Sequence, residues 1–193
     1  MERPLADRMA IVTGASRGIG LAIAERLAAD GAHVGVVARS GDVLTEVAER
    51  IRMHGGGATV LQADVTDPAS SEAAVRQFLG LHGRVDILVN NAGGNVRTTA
   101  AETDLALWNR LLTLGLTAPF HWSQLCGEGM RERAWGRIVN IGSVAGMTAL
   151  PTGAAYASAK AGLAQLTKNL AREWGGDGVT INLVAPWYVP TPL

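Results

Sequence analysis

Apolar and polar positions follow two rhythms along this chain. Short apolar runs with β-branched members occur at residues 9–13, 33–37, 59–63, 85–89, 137–141 and 179–184. Each reads as a buried strand. Between them, longer segments carry the helical period. Ile19, Ile23 and Leu27 recur every four residues and predict the core face of a first helix. Asp30-Gly31 closes that helix with a glycine past its end. Val43, Leu44, Val47 and Ile51 mark the face of a second helix, which Gly55-Gly56-Gly57 breaks. Asp67-Pro68 opens a third, with aspartate as N-cap and proline in the first turn. Residues 105–133 read mainly as one long helix carrying Trp108, Leu111, Leu112, Leu116 and Phe120. Gly115 and Pro119 lie inside it, and each weakens a helix interior. A last helix carries Tyr156 and a core face of Leu163, Leu166, Leu170 and Trp174.

Six strands alternating with helices predict an α/β fold, a parallel sheet covered by helices on both faces. No repeat or linker interrupts residues 1–193, so one domain is expected. Such sheets bind ligands at the carboxyl ends of their strands. The glycine turn, Arg39, Asp64, Asn91, Ser143 and Thr191 all fall at those ends and can converge.

The first strand runs into Gly14-Ala15-Ser16-Arg17-Gly18-Ile19-Gly20 and then a helix. Without side chains at Gly14, Gly18 and Gly20 the backbone can turn tightly and approach a pyrophosphate. The helix supplies free N–H groups and the positive end of its dipole. The spacing is G-x-x-x-G-x-G, not the commoner G-x-G-x-x-G. At the end of the second strand a carboxylate would bond the ribose 2′-hydroxyl of NAD, whereas an arginine accommodates the 2′-phosphate of NADP. Ala38 provides no acid there and Arg39 follows it, with Arg17 as a second phosphate partner. This favours NADP(H) through charge-assisted bonding; the alternative is that Arg39 is a solvated strand end. Asp64 either faces an adenine amino group or is a polar loop residue. Small residues in Asn91-Ala92-Gly93-Gly94 let a flat ring lie close, and Asn90 can tie neighbouring strands together.

Composition narrows the class. With 48% hydrophobic and 18% charged residues the chain can fill a core without disorder. A formal net charge of zero gives no reason to expect nucleic acid or an anionic membrane as partner. The one cysteine, Cys126, is expected to fill the core in a reducing compartment. No signal-peptide pattern and no membrane-length apolar stretch is present, and a soluble cytoplasmic protein is expected. No metal site is expected.

Tyr156 and Lys160 are four apart, on one face of a helix. A phenol is a poor acid and base at neutral pH, and a cation within about 4–6 Å lowers its pKa. Ser143, at the end of the fifth apolar run, can hydrogen-bond an oxygen that the tyrosine protonates. The three suggest general acid/base chemistry on a carbonyl or an alcohol; the alternative is an ordinary helix with a chance tyrosine and lysine.

Thr13-Gly14-Ala15-Ser16-Arg17-Gly18-Ile19-Gly20, Asn90-Asn91-Ala92-Gly93, Ser143, Tyr156-x-x-x-Lys160 and the segment from Pro186 to Thr191 occur in that order over nearly the whole chain. Together they resemble the classical short-chain dehydrogenase/reductase family. A finer likeness, to tropinone-reductase-like members, rests on Asn91-Ala92-Gly93-Gly94-Asn95-Val96-Arg97, Lys168-Asn169-Leu170-Ala171-Arg172-Glu173-Trp174 and Val184-Ala185-Pro186-Trp187. The resemblance implies a Rossmann-like doubly wound sheet that binds NADP(H) and also carries the catalytic residues. It implies that Tyr156 is proton donor to a ketone or base for an alcohol. Lys160 would hold the nicotinamide ribose and lower the tyrosine pKa, and Ser143 would orient the substrate oxygen. Val189 and Thr191 would meet the nicotinamide carboxamide. Ser16, Ile19, Ser40, Val65 and Pro186 join the cofactor contacts on the same ground, as do Ala92 and Gly93. The implied partners are a small carbonyl or alcohol substrate and further copies of the chain.

Two departures from the family follow. Gly115 stands where the family usually has a helix asparagine that helps a water link the active-site lysine to solvent. The family's chain also normally continues past Leu193, into a substrate-covering lid, a last edge strand and much of the subunit interface. Six strands are then expected, the sixth as an exposed edge. The expected activity is NADPH-dependent interconversion of a ketone and a secondary alcohol. The alternatives are a fragment that holds the dinucleotide without turnover, and an interaction fragment of a larger reductase.

Overall fold

The computed structural model of the protein describes residues 3–189. Its strands are β1 (Met9–Thr13), β2 (His33–Ala38), β3 (Gly57–Gln62), β4 (Ile87–Asn90), β5 (Gly136–Ile141) and β6 (Val179–Val184). They form one sheet in the order β3-β2-β1-β4-β5-β6, every pair parallel. The helices are α1 (Gly18–Ala29), α2 (Gly41–Met53), α3 (Pro68–His82), α4 (Leu105–Leu112), α5 (Ala118–Glu132) and α6 (Ala154–Trp174). The chain begins mid-sheet, winds outward to β3, then returns past β1 to β4 and outward to β6. This is the Rossmann-like, doubly wound arrangement, and its strand order reverses between β1 and β4.

Both sheet faces are apolar because both are covered. Val12, Val34, Val36 and Val89 pack with Leu44, Ala48 and Ile51 of α2 on one face. Ile11, Leu88 and Ile138 pack with Phe78, Trp122, Met130 and Leu170 on the other. Cys126 is buried in that second layer, as expected, and burial pushes its thiol up to about 12. Under the carboxyl ends of β4 and β5 runs a buried polar chain. Asn90 donates to Asn140 Oδ1 at 2.8 Å, Asn140 donates to Thr167 Oγ1 at 2.9 Å, and Thr167 donates to the Leu163 carbonyl at 2.7 Å. It ties both strands to α6, the strand-tying role anticipated for Asn90. Asp67 caps α3 as expected, accepting from the Ala69 N–H at 3.1 Å.

Three readings of the pattern need correction. First, the buried face of α1 is Gly20, Ala24 and Ala28, not Ile19, Ile23 and Leu27. Small residues let the helix backbone close on the strands; a Cβ on Gly20 would run into Asn91 Nδ2 and the Gly14 carbonyl. Ile23 and Leu27 are only partly buried against the same core, and with Ile19, Leu21 and Val189 they line an apolar surface groove. Second, Val43 is largely outside the α2 core face, which is Leu44, Val47, Ala48 and Ile51. Third, the long helix is two, α4 and α5, joined by a π-helical turn at Thr113–Thr117. Pro119 lacks the N–H that would reach the Gly115 carbonyl, and the widened turn absorbs that loss. Beyond the turn the buried face is Ala118, Pro119, Trp122, Ser123, Cys126, Gly127 and Met130, while Phe120 is partly exposed.

Among the described residues β6 is the sheet edge, with Thr180, Asn182 and Val184 exposed. No described helix is long and apolar enough to cross a membrane.

Candidate active site

At the β1–α1 turn Gly14 has φ +67°, in the left-handed region that favours glycine, and a Cβ there would stand 2.8 Å from Ala92 Cα. The turn is stitched to the exit of β4. Thr13 Oγ1 accepts from the N–H groups of Asn91 and Ala92 at 3.0 and 3.1 Å and donates to the Val89 carbonyl. The Asn91 side chain donates to the Thr13 and Gly14 carbonyls at 3.0 and 3.1 Å. Asn91 is therefore engaged by the glycine turn and positions it. The N–H groups of Gly18, Ile19 and Gly20 have no partner among the described residues, and Arg17, the exposed N-cap, stands beside them. Ser16 is half-buried in the same turn. A bare turn, free N–H groups and a helix dipole form a cradle that can hold a diphosphate.

At the end of β2, Arg39 and Ser40 are exposed, and the Arg39 guanidinium makes no hydrogen bond or ion pair among the described residues. The loop is fixed instead through the Arg39 carbonyl, which accepts from Gln62 Nε2 at 2.9 Å. After β3, Asp64 Oδ1 accepts from the Thr66 N–H at 2.9 Å and hydroxyl at 2.7 Å. These bonds hold its carboxyl below the ordinary carboxylate value. Val65 packs against the core.

Ser143 lies just past β5 and begins the short turn Val144–Gly146, its Oγ accepting from the Ala145 N–H at 3.1 Å. The hydroxyl proton of Ser143 has no acceptor among the described residues. Tyr156 is in the first turn of α6. One turn on, Lys160 is buried, and its Nζ donates to the Ile141 carbonyl at 2.7 Å. That nitrogen is 5.9 Å from the centre of the Tyr156 ring, and burial lowers the lysine to about 8. Gly93 is exposed and open toward Lys160: a Cβ there would be 3.9 Å from Nζ. Gly115 is buried against α6, where a Cβ would stand 2.9 Å from Ala159 Cβ.

Ser143 and Tyr156 line one cavity of about 270 Å³ with Asn95, Arg97, Val144, Leu150, Thr152, Pro186, Trp187 and Tyr188. Trp187 and Tyr188 form an edge-to-face pair, ring centres 5.3 Å apart. Asn95, Arg97, Leu150, Thr152, Trp187 and Tyr188 were not singled out as site residues from sequence. Their signals were position, in loops that leave the carboxyl ends of β4, β5 and β6, and, for Asn95, Arg97 and Trp187, membership of the motifs that carry the finer resemblance. Pro186, also in that wall, accepts from the Val144 N–H at 3.3 Å. Val189 falls elsewhere, lining the apolar groove with Arg17, Gly18, Ile19 and the large residues of α1. Thr191 lies outside the described residues. No three metal-ligating side chains cluster among the described residues.

The model of the family described as short chain dehydrogenase matches residues 8–193. The chain belongs to the short-chain dehydrogenase family. Among similar proteins, 3-oxoacyl-(acyl-carrier-protein) reductase FabG of Escherichia coli (strain K12) is 41% identical over 186 residues, 96% of this chain and 75% of that protein. The crystal structure of a metagenomic short-chain oxidoreductase in complex with NADP superposes with a TM-score of 0.91 at 37% identity, covering 95% of this chain and 83% of that one. A dehydrogenase/reductase from Sinorhizobium meliloti 1021 gives 0.92 at 36%, covering 98% and 75%. Within this short-chain dehydrogenase, the diphosphate cradle and the Ser143–Tyr156 cavity both open at the carboxyl ends of the central strands.

Proposed function

We propose that the protein is an NADP(H)-dependent oxidoreductase that interconverts a ketone and a secondary alcohol, with Tyr156 as its acid and base. The observation that carries this is the convergence of Ser143 and Tyr156 on one cavity, with the Lys160 ammonium behind the phenol ring. The nicotinamide, when bound, supplies or accepts the hydride. The chain's own residues handle the oxygen and its proton. Ser143, whose oxygen already accepts from Ala145, has its proton free to donate to the substrate oxygen. Tyr156 transfers a proton to that oxygen in reduction and takes it back in oxidation. Lys160, held by the Ile141 carbonyl, places a cation where it favours the phenolate.

The cofactor would lie across the Gly14–Gly20 cradle, with Arg17, Arg39 and Ser40 at a 2′-phosphate and Asp64 and Val65 near the adenine. Ala92, Gly93 and Pro186 would border the nicotinamide. Support comes from the unpaired Arg39, from the missing acid at Ala38, and from the NADP held by the metagenomic relative. On this reading residues 1–193 form one unit that carries both cofactor and catalytic groups. Copies would assemble through the α4–α5 segment, on which Leu105 is 78% exposed. The tropinone-reductase-like motifs support that subgroup without naming a substrate. The likeness to FabG favours including a 3-oxoacyl thioester among the trial ketones.

The test pairs fluorescence titration of NADPH and NADH with steady-state reduction of a ketone panel. NADPH is expected to bind more tightly. Tyr156→Phe is expected to lower turnover by about 10²-fold or more while NADPH still binds. Near-normal turnover by that variant would defeat the reading. Binding of NADPH with no turnover on any ketone would favour a dinucleotide-holding module instead.

A further inference from the structure

We infer that Arg97 is an anion anchor in the substrate cavity, so that the preferred substrate is a ketone or alcohol whose carbon chain carries a carboxylate or phosphate. The inference rests on the reductase reading of this cavity and adds the substrate class to it. Of the ten residues that line the cavity, Arg97 is the one that carries charge. The apolar part of the wall is Val144, Leu150 and the Trp187–Tyr188 pair. An apolar wall with one guanidinium suits a short carbon chain that ends in an anion.

The guanidinium is available. Arg97 is exposed and makes no hydrogen bond or ion pair among the described residues. The two carboxylates nearest in sequence are engaged elsewhere. Glu102 Oε2 accepts from the N–H and hydroxyl of Thr99 at 3.1 and 2.8 Å, and Asp104 Oδ1 caps α4 by accepting from the Leu107 N–H at 2.7 Å. An arginine left free at a cavity can take a planar carboxylate through two parallel N–H···O bonds, or a phosphate in the same way.

The backbone that carries Arg97 is also fixed relative to the catalytic helix. Asn95, two residues before it, donates to the Thr152 carbonyl at 2.8 Å. Val96 and Thr98, its neighbours, pack so closely on Gly153 that a Cβ there would stand 3.2 Å from the Thr98 carbonyl oxygen. Gly153 is the residue before α6, and Tyr156 follows in its first turn. The loop that presents the cation and the helix that presents the phenol are thus joined at their base. An anion held at Arg97 would fix how far along its chain the carbonyl meets Ser143 and Tyr156.

The experiment measures binding and turnover separately. Calorimetry on the NADP+ complex, which cannot reduce a ketone, compares 4-oxopentanoate with its methyl ester, and hydroxyacetone phosphate with hydroxyacetone, in the parent, Arg97→Gln and Arg97→Lys. In at least one pair the anion is expected to bind about tenfold or more tighter than its neutral partner, the scale of one charge-assisted hydrogen bond. Which pair shows it tells carboxylate from phosphate. Arg97→Gln is expected to erase that ratio, and Arg97→Lys to keep part of it. Equal binding within both pairs, no binding in either, or a ratio that survives Arg97→Gln overturns the inference. Turnover on the same compounds tests the reductase reading independently. A chain that selects anions but reduces none upholds the anchor and defeats the chemistry; one that binds neutral ketones and anions equally and reduces both does the reverse.

Discussion

Lys160 Nζ lies 2.7 Å from the Ile141 carbonyl oxygen, so the cation beside Tyr156 is held by the last residue of β5. Burial lowers this lysine from 10.5 to about 8. In the unfolded chain it keeps its proton up to the ordinary value. Between about 8 and 10.5 the unfolded state therefore binds more protons, and stability rises with pH across that window. Its contribution is full above the upper value and lost as pH falls through the lower. Melting temperatures of the parent and Lys160→Met from about pH 7 to about pH 10 check this: the parent is expected to gain on the variant above pH 8, and parallel curves would contradict the assignment. The same titration removes the cation from beside the phenol. Ketone reduction is therefore expected to fall as pH rises through about 8.

Gly115 gives a prediction opposite to the one its helix propensity suggests. An exposed glycine in a helix costs up to about 1 kcal/mol, so replacing it would be expected to stabilise. Here the glycine is buried in the π-helical turn, and Ala159 Cβ stands 2.9 Å from where its own Cβ would be. Gly115→Asn, which introduces the residue usual in the family, is expected to destabilise by about 1–3 kcal/mol through overpacking. Ala159→Gly should return part of that loss, so a double-mutant cycle by denaturant unfolding is the check. Strict additivity would show that this contact is not the cause.

The sheet was legible because a buried parallel strand is a continuous apolar run, and all six runs became strands. Where boundaries moved they did so by one or two residues, as where polar Asn90 joins β4 or apolar Val85 precedes it. The α1 face was misjudged because hydropathy ranks Ile19, Ile23 and Leu27 above Gly20, Ala24 and Ala28, whereas close approach of helix to strand selects the small residues. The π-helical turn left no mark in the apolar pattern; only Gly115 and Pro119 hinted at it. In the site, Ser143, Tyr156 and Lys160 were legible from spacing. Arg97 and Thr152 were not, since they come to one cavity by tertiary packing of loops that Asn95 joins to the Thr152 carbonyl across 57 residues. Asn91 was read as a cofactor contact; that its side-chain amide also ties down the glycine turn left no mark in the sequence.

On the proposed reading Arg39 decides between two cofactors by charge. Its guanidinium is unpaired among the described residues, and Gln62 fixes the loop through the Arg39 carbonyl rather than the side chain. Arg39→Asp can therefore change the charge without unfastening the loop. It is expected to weaken NADPH by about tenfold or more and to improve NADH relative to it, because a carboxylate repels a 2′-phosphate and accepts from a 2′-hydroxyl. Fluorescence titration of both cofactors reads the ratio. An unchanged ratio would place the 2′-phosphate elsewhere, with Arg17 the next residue to vary.

His33 and His82 share one hydroxyl at the far end of the sheet. His33 Nε2 and His82 Nε2 lie 2.8 and 2.9 Å from Thr59 Oγ1, and the two rings are 4.2 Å apart. The hydroxyl can donate to only one ring, so the other must donate to it; the accepting ring must then be neutral, with its Nε2 unprotonated. Burial lowers the pKa of both; His33 is lowered further by the charge of His82 and of Arg52 on α2. Folded pKa values below the unfolded value of 6.5 mean that the unfolded chain takes up more protons on acidification. The stabilisation is present above about 6.5 and is lost as pH falls below it. The melting temperature is expected to drop between about pH 7.5 and about pH 5.5, and a His33→Gln/His82→Gln pair is expected to flatten that slope. Thr59→Val at neutral pH is expected to cost about 1–3 kcal/mol, since it leaves both ring nitrogens without their shared partner. If the double variant loses stability on acidification as steeply as the parent, the titrating groups lie elsewhere and the pair is only a packing contact.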